Sequence, residues 1–280
     1  MANRQHASPP EFEIAQLLDT AVVSVRDVSC LGECRHRSAE ECGTATQLVF
    51  PYRGVYLRHV GSAQTVADAN HVLLFNSGEA YQVSHPIDGG DASVALALAE
   101  HVLHELAPNG SLQPGRTGFR QQALRIDARA QALVALLRHA LRQGSIEPLE
   151  AEGLALTLAS RSLGPRTSRA AGATHARQRL VDRAKLLLAS DLGRRWTLAE
   201  IAADVGGSPV YLTQAFKQVE GMPLYRYQLQ LRLARALDLL GDDIDLSALA
   251  QQLGFTSHSH FSAAFRQSYG RSPSEFRRNH

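Results

Sequence analysis

All three cysteines of the chain fall in one stretch, CLGECRHRSAEEC at residues 30–42, with His36 among them. Thiolate and imidazole are the soft donors that tetrahedral zinc takes. Cys30, Cys34, His36 and Cys42 therefore form a candidate set for zinc or another metal, although their spacing is not that of a standard finger. Two other readings stay open. Arg35 and Arg37 could depress a thiol pKa and make the loop redox-sensitive, or the cysteines could be small residues at a strand end. Outside this loop His101 and His104 share a helical face without an acidic partner at ligand spacing. There is no G-x-S-x-G elbow, phosphate loop or paired-carboxylate pattern. The chain reads as a non-enzyme that requires no cofactor, and its effector site is not marked.

A second set of residues carries chemistry by repetition. GSPVYLTQAFKQVEGMPLYRY, residues 207–227, and TSHSHFSAAFRQSYGRSPSEF, residues 256–276, share a pattern at a constant offset of 49. Ser208 matches Ser257, Leu212 matches Phe261, Phe216 matches Phe265, and Lys217 matches Arg266. With Leu212/Phe216 and Phe261/Phe265 turned inward at i and i+4, two faces are left for solvent. One carries Val210, Thr213, Gln214 and Lys217; the other carries His258, Ser259, Ser262 and Arg266. A DNA major groove admits one helix and displays donors, acceptors and thymine methyls. Thr213 and Gln214 suit base edges, Val210 suits a thymine methyl, and Lys217 and Arg266 suit phosphates. Ser208 and Ser257 open the two helices and complete the candidate DNA-binding set.

The elements that must position these residues are also legible. TLAEIAADVG precedes the first phrase and DLSALAQQLGF the second, with Thr197 and Asp245 at N-cap positions and Gly206 and Gly254 at the ends. The pattern is helix, turn, helix, written twice. Between the copies LYRYQLQLRLARALDLLG has no internal Gly or Pro, so a spacer helix of roughly 17 residues would span about 25 Å. That length could set the two recognition helices near one DNA turn apart, about 34 Å. Residues 177–280 hold 14 Lys/Arg against 10 Asp/Glu, whereas residues 1–176 hold 15 against 17. A basic C-terminal third favours a polyanionic partner, here double-stranded promoter DNA.

Further upstream the period changes. AVVSVRDVSC, QLVFPYRGVYLRHVG and SVALAL read as strands, with Pro51 and Gly54 suiting a bulge or an edge. HVLLFNSGEAYQVSHP reads as two strands around a turn at Asn76–Gly78. DARAQALVALLRHALRQG is helical, with Gly144 as its C-cap, and Ser145 could cap a second helix, IEPLEAEGLALTLASRSL. Its stripe of Leu133, Leu137 and Leu141 must dock on the strands or meet a second subunit, which leads to an expected homodimer. GPRTSRAAGATHA, residues 164–176, has linker composition. No apolar run reaches the ~18 residues of a membrane span, and MANRQHASPPEFEIAQ lacks a signal-peptide core. The chain is expected in the cytoplasm, away from membranes.

On the residues LAEIAADVGGSPVYLTQAFKQVEG, YRYQLQLRLARAL and LAQQLGFTSHSHFSAAFRQSYGRSPSEFRR, the C-terminal hundred residues resemble the AraC/XylS family of bacterial transcription regulators. The resemblance implies a seven-helix DNA-binding domain whose base contacts fall to Val210, Thr213 and Gln214 and to His258, Ser259 and Ser262. The family often has basic residues where Gln214 and Ala263 stand, so the second unit would read fewer bases here. LVFPYRGVYLRHVG and HVLLFNSGEAYQVSHP resemble the cupin-type sensor half of such regulators, although the clustered His-x-His and Glu of a metal-dependent cupin enzyme are missing. The resulting expectation is an α+β chain. It has a cupin-like β-barrel sensor over residues 1–110, a helical pairing segment over 111–163, the linker at 164–176 and an all-α double helix-turn-helix domain over 177–280. Its implied partners are promoter DNA, a second copy, RNA polymerase and a small-molecule or metal effector.

Overall fold

The computed structural model describes residues 12–31, 35–114, 117–164, 174–241 and 244–278. The N-terminal part is built from β1 (Phe12–Asp19), β2 (Val23–Cys30), β3 (Glu41–Cys42), β4 (Gln47–Gly54), β5 (Tyr56–Val60), β6 (Ala63–Ala67), β7 (His71–Phe75), β8 (Ala80–Ser84), β9 (Asp91–Leu98) and β10 (Ala123–Arg125). They form a six-stranded sheet, β1-β2-β9-β4-β7-β10, and a four-stranded sheet, β3-β8-β5-β6. The expected barrel is thus realised as two separate sheets. They pack face to face: Val49, Leu73, Phe75 and Ala95 of the first share one apolar cluster with Tyr56 and Ala67 of the second. The bulge foreseen around Pro51 is present, where the β4–β9 register slips between Pro51 and Arg53. Proline has no N–H to give to the ladder, so the strand breaks register there.

One sequence expectation gains a refinement and another needs correction. The segment 71–84 does contain two strands around a turn, with Gly78 at φ 75°, but they are not hydrogen-bonded to each other. β7 pairs with β4 and β10, whereas β8 pairs with β3 and β5. The turn carries the chain from one sheet to the other. Ser145 is no N-cap either: its hydroxyl donates to Ala140 O, and the second helix begins at Pro148 after Glu147.

The helices α1 (Glu100–Leu106), α2 (Ala128–Gln143) and α3 (Pro148–Leu163) cover the outer face of the six-stranded sheet. Asp127 caps α2, and Gly144 ends it in the left-handed region at φ 63°. Leu137 is fully buried in the core beneath α2, and Leu133 and Leu141 pack against that same core. The stripe therefore docks on its own sheet, so it supplies no argument for the expected homodimer. The opposite face of α2 is also occupied, because Ala132, Ala135 and Leu136 join the core of the C-terminal domain. The helix expected to pair subunits lies between the two halves of one chain.

The C-terminal domain holds seven helices among the described residues: α4 (His175–Ser190), α5 (Leu198–Asp204), α6 (Pro209–Glu220), α7 (Leu224–Leu239), α8 (Leu246–Gln252), α9 (His258–Tyr269) and α10 (Pro273–Arg278). Of the expected linker, residues 165–173 lie outside the described residues; Gly164 follows α3 and Thr174 caps α4. The N-terminal half of α7, with Tyr227 and Leu231, packs with Leu212 and Phe216 of α6. Its C-terminal half, with Leu237 and Leu240, packs with Phe261 and Phe265 of α9.

Candidate nucleic-acid interface

Each helix pair is closed by local chemistry that the sequence carries openly. Thr197 and Glu200 form a reciprocal capping box at α5, and Asp245 caps α8. Gly206 and Gly254 turn the chain at φ 71° and 76°, a conformation that costs a Cβ-bearing residue. Ser208 then accepts from Tyr211 N at 3.2 Å to cap α6, and Ser257 accepts from His260 N at 3.1 Å to cap α9. Both of these candidate contact residues therefore hold their own helix, and their hydroxyls retain a donor for a phosphate.

The burial pattern of the recognition helices follows the repeat. Leu212, Phe216, Phe261 and Phe265 have no exposed surface. Val210 is 68% exposed, and Thr213, Gln214 and Lys217 are exposed beside it. On α9 His258, Ser259 and Arg266 are exposed and Ser262 is half-buried. Ser262 Oγ lies 3.4 Å from His258 Nε2, and Thr213 Oγ1 donates to Pro209 O. These two hydroxyls are oriented within their own helices, whereas no side-chain hydrogen bond is recorded for Gln214, Lys217 or Arg266.

Some residues were not singled out by the spacing. Tyr211, 39% exposed, stands next to Val210. Arg271 and Arg278 line an open cleft with Arg266, Gly270 and Glu275. Hydrogen bonds from Ser272 hold the Glu275 carboxyl below its usual pKa, with Arg266 and Arg278 helping. The excess of basic residues in the sequence signalled such a patch without locating it.

A further group emerges only in three dimensions. His71, at the start of β7, has Nδ1 2.8 Å from Asp68 and Nε2 3.3 Å from Glu220 of α6. Glu220 also pairs with Lys185 of α4 at 3.1 Å, and Tyr227 of α7 donates to Asp68. All are buried. Burial and Lys185 push the His71 pKa down, but Asp68 and Glu220 outweigh them and raise it. Burial would raise the Glu220 carboxyl, yet Lys185 and His71 hold it well below its usual range. Alongside, Arg138 of α2 bridges Asp27 of β2 at 3.2 Å and Asp238 of α7 at 2.8 Å. The sheets and the helical domain are thus joined by buried, paired charges.

Of the candidate metal set, Cys34 lies outside the described residues. Cys30 is buried and Cys42 is exposed. Among the described residues Cys30 groups with His85 and Asp91, and neither His36 nor Cys42 belongs to that group.

Two helix-turn-helix units on one spacer helix, each with a polar or cationic outward face, have the architecture of a domain that enters two grooves of DNA. Comparison with known proteins agrees. A helix-turn-helix domain family matches residues 201–279. The HTH-type transcriptional activator RhaR of Klebsiella pneumoniae is 35% identical over 102 residues, 36% of this chain and 36% of that protein. The DNA-binding dual transcriptional regulator Rns of Escherichia coli is 30% identical over 96 residues, 34% of this chain and 36% of its own length. A solved transcriptional regulator structure from Chromobacterium violaceum, described as having an AraC-type DNA-binding domain, is 30% identical over 38% of this chain and 96% of that one, with a TM-score of 0.36. The chain spans little more than a third of the curated relatives it matches. Its C-terminal domain matches a helix-turn-helix domain family and is similar to the corresponding third of these transcriptional regulators.

Proposed function

We propose that this chain is a transcription regulator that binds double-stranded promoter DNA through both helix-turn-helix units. The observation that carries this reading is the division of α6 and α9: Leu212, Ala215 and Phe216 are buried at the positions of Phe261, Ala264 and Phe265, and Lys217 and Arg266 offer a cation to solvent at one shared position. In the proposed complex Val210, Thr213 and Gln214 face one major groove and His258, Ser259 and Ser262 the next. Lys217 and Arg266 hold phosphates, joined by Arg271 and Arg278 near the second unit. The relatives RhaR and Rns, named as transcriptional regulators, support it.

The N-terminal sandwich is proposed to receive the signal. What supports this is the buried charge cluster, which makes the helical domain sensitive to any shift of β2, β7 or α2. RNA polymerase at the promoter is the proposed downstream partner. No helix among the described residues is long and apolar enough to cross a membrane, and a cytoplasmic site of action follows from the proposed DNA target. The test is selection of bound duplexes from a random pool with the full chain. An enriched two-part motif, lost in a Lys217→Ala, Arg266→Ala double variant that still folds, supports the proposal. Enrichment of no motif above the input contradicts it.

A further inference from the structure

Cys30 ends β2, and its partner across the ladder is Asp91, the first residue of β9. His85 follows β8 directly, and its Nε2 lies 2.8 Å from Asp91 Oδ1. His85 is 2% exposed, and Cys30 and Asp91 are each 8% exposed. A thiol sulfur, an imidazole nitrogen and a carboxylate oxygen from these residues lie within 4.8 Å of one another. The other ring nitrogen, His85 Nδ1, is buried and has no hydrogen-bond partner. Such an atom carries a desolvation cost with nothing to offset it.

We propose that Cys30, His85 and Asp91 form a binding site for a zinc ion. Zinc takes sulfur at about 2.3 Å and nitrogen or oxygen at about 2.0–2.2 Å, so tetrahedral ligands lie roughly 3.3–3.7 Å apart. Drawing the three donors onto one centre needs a contraction of no more than about 1.5 Å. A soft thiolate beside an imidazole selects zinc over calcium and magnesium, which prefer all-oxygen shells. On binding, two protons pass to solvent, one from the Cys30 thiol and one from the imidazolium that Asp91 and Cys30 stabilise, so that a thiolate and a neutral His85 ligate. Three protein ligands leave a fourth position for water or another side chain.

The frame around the site is rigid. Gly90, at φ 66°, lies so close to β2 that a Cβ there would sit 2.2 Å from Cys30 O. A Cβ on Gly54 would sit 2.0 Å from Gly90 O. Backbone meets backbone on both sides of Asp91, so the strands that carry Cys30 and Asp91 are fixed and the contraction onto an ion falls to the side chains. The same turn carries Ile87, which packs with Leu57 and Val66 and with Leu186 and Ala189 of α4. Two residues beyond His85, the chain therefore shares a small apolar cluster with the first helix of the C-terminal domain. Any role of the ion as a signal rests on the DNA-binding reading, but occupancy of the site does not.

The test uses the reduced full-length chain, loaded with Co2+ as a spectroscopic probe and then with Zn2+. The expected result is one ion per chain, a thiolate-to-cobalt charge-transfer band, and a zinc-dependent rise in Tm. Cys30→Ser should abolish the band. His85→Gln and Asp91→Asn should weaken binding roughly tenfold or more, with far-UV circular dichroism confirming a retained fold. Cys42→Ser should change neither band nor affinity. The absence of a thiolate band in the wild type would overturn the proposal. So would a band that survives His85→Gln and is lost in Cys34→Ser or Cys42→Ser, which would return the ion to the 30–42 loop. DNA binding by the metal-free protein is measured separately, so failure of the regulator reading leaves this result intact.

Discussion

At the residue scale, Gln214 and Arg266 stand for the two kinds of contact that a recognition helix makes. An amide can bond two atoms of one adenine, whereas a guanidinium on phosphate is blind to sequence. Gln214→Ala should therefore cost about 1–3 kcal/mol on the preferred sequence and relax preference at a single base pair. Arg266→Ala should weaken all duplexes alike and flatten the slope of log K against log salt by about one. Competition binding across a panel of single-base variants at several salt concentrations separates the two. The exposure of both was legible in the sequence: once Phe265 is inward the next residue, Arg266, must face out, and Gln214, midway between the inward Leu212 and Phe216, lies on the outward side of α6. Leu137 was read with the right burial tendency and the wrong neighbour. Fully buried under α2, it should not tolerate a carboxylate. Leu137→Glu should lose several kcal/mol of stability, since a buried unpaired charge is costly, and urea denaturation would measure it.

At the element scale, caps and turns made the helices of the C-terminal domain easy to find. Thr197 with Glu200, Ser208 with Pro209, and Gly221 at φ 69° all act within a few residues of chain. Six of the strands were equally local, down to the bulge at Pro51, whereas β1, β3, β6 and β10 went unread. What stayed hidden was which elements meet. Asp68 and Tyr227, Asp27 and Arg138, and Cys30 and His85 are each far apart in sequence, and no local period encodes such pairs. The joint they make gives two predictions. Arg138→Met removes the bridge between Asp27 and Asp238, but Asp27 keeps Arg142 and Tyr52, and Asp238 keeps Arg235. The loss should be about 1.5–3 kcal/mol, that of hydrogen bonds to charged groups, with the helical domain melting apart from the sandwich in calorimetry. The second prediction concerns pH. The folded pKa of His71 is raised above 6.5, so its stabilisation is fully present below 6.5 and is lost as pH rises through the folded value. Asp68 and Glu220 then keep Lys185, Tyr227 and the Asn70 backbone amide as partners but lose the imidazolium charge. Hydrogen-exchange protection factors at the β7–α6 contact, corrected for the intrinsic base catalysis of exchange, should fall on the alkaline side. Protection that is flat across that range would rule out His71 as the titrating group.

At the scale of the whole molecule, α7 sets the geometry. Its 16 residues span about 24 Å, with one helix-turn-helix unit seated at each end, and the surrounding domain is net basic. A single chain so built should touch two successive grooves on one side of the duplex, about 34 Å or 10–10.5 base pairs apart. The most direct test is to insert about 5 base pairs, half a turn, between the two half-sites of a selected sequence and measure affinity for this chain at a concentration where it sediments as a monomer. The account predicts that this insertion reduces binding to the level of a single half-site, and that a full-turn insertion does not restore it, because α7 cannot lengthen. Unchanged affinity with the half-turn insertion, or protection of only one half-site on the uninterrupted sequence, would contradict the claim that both units grip DNA together.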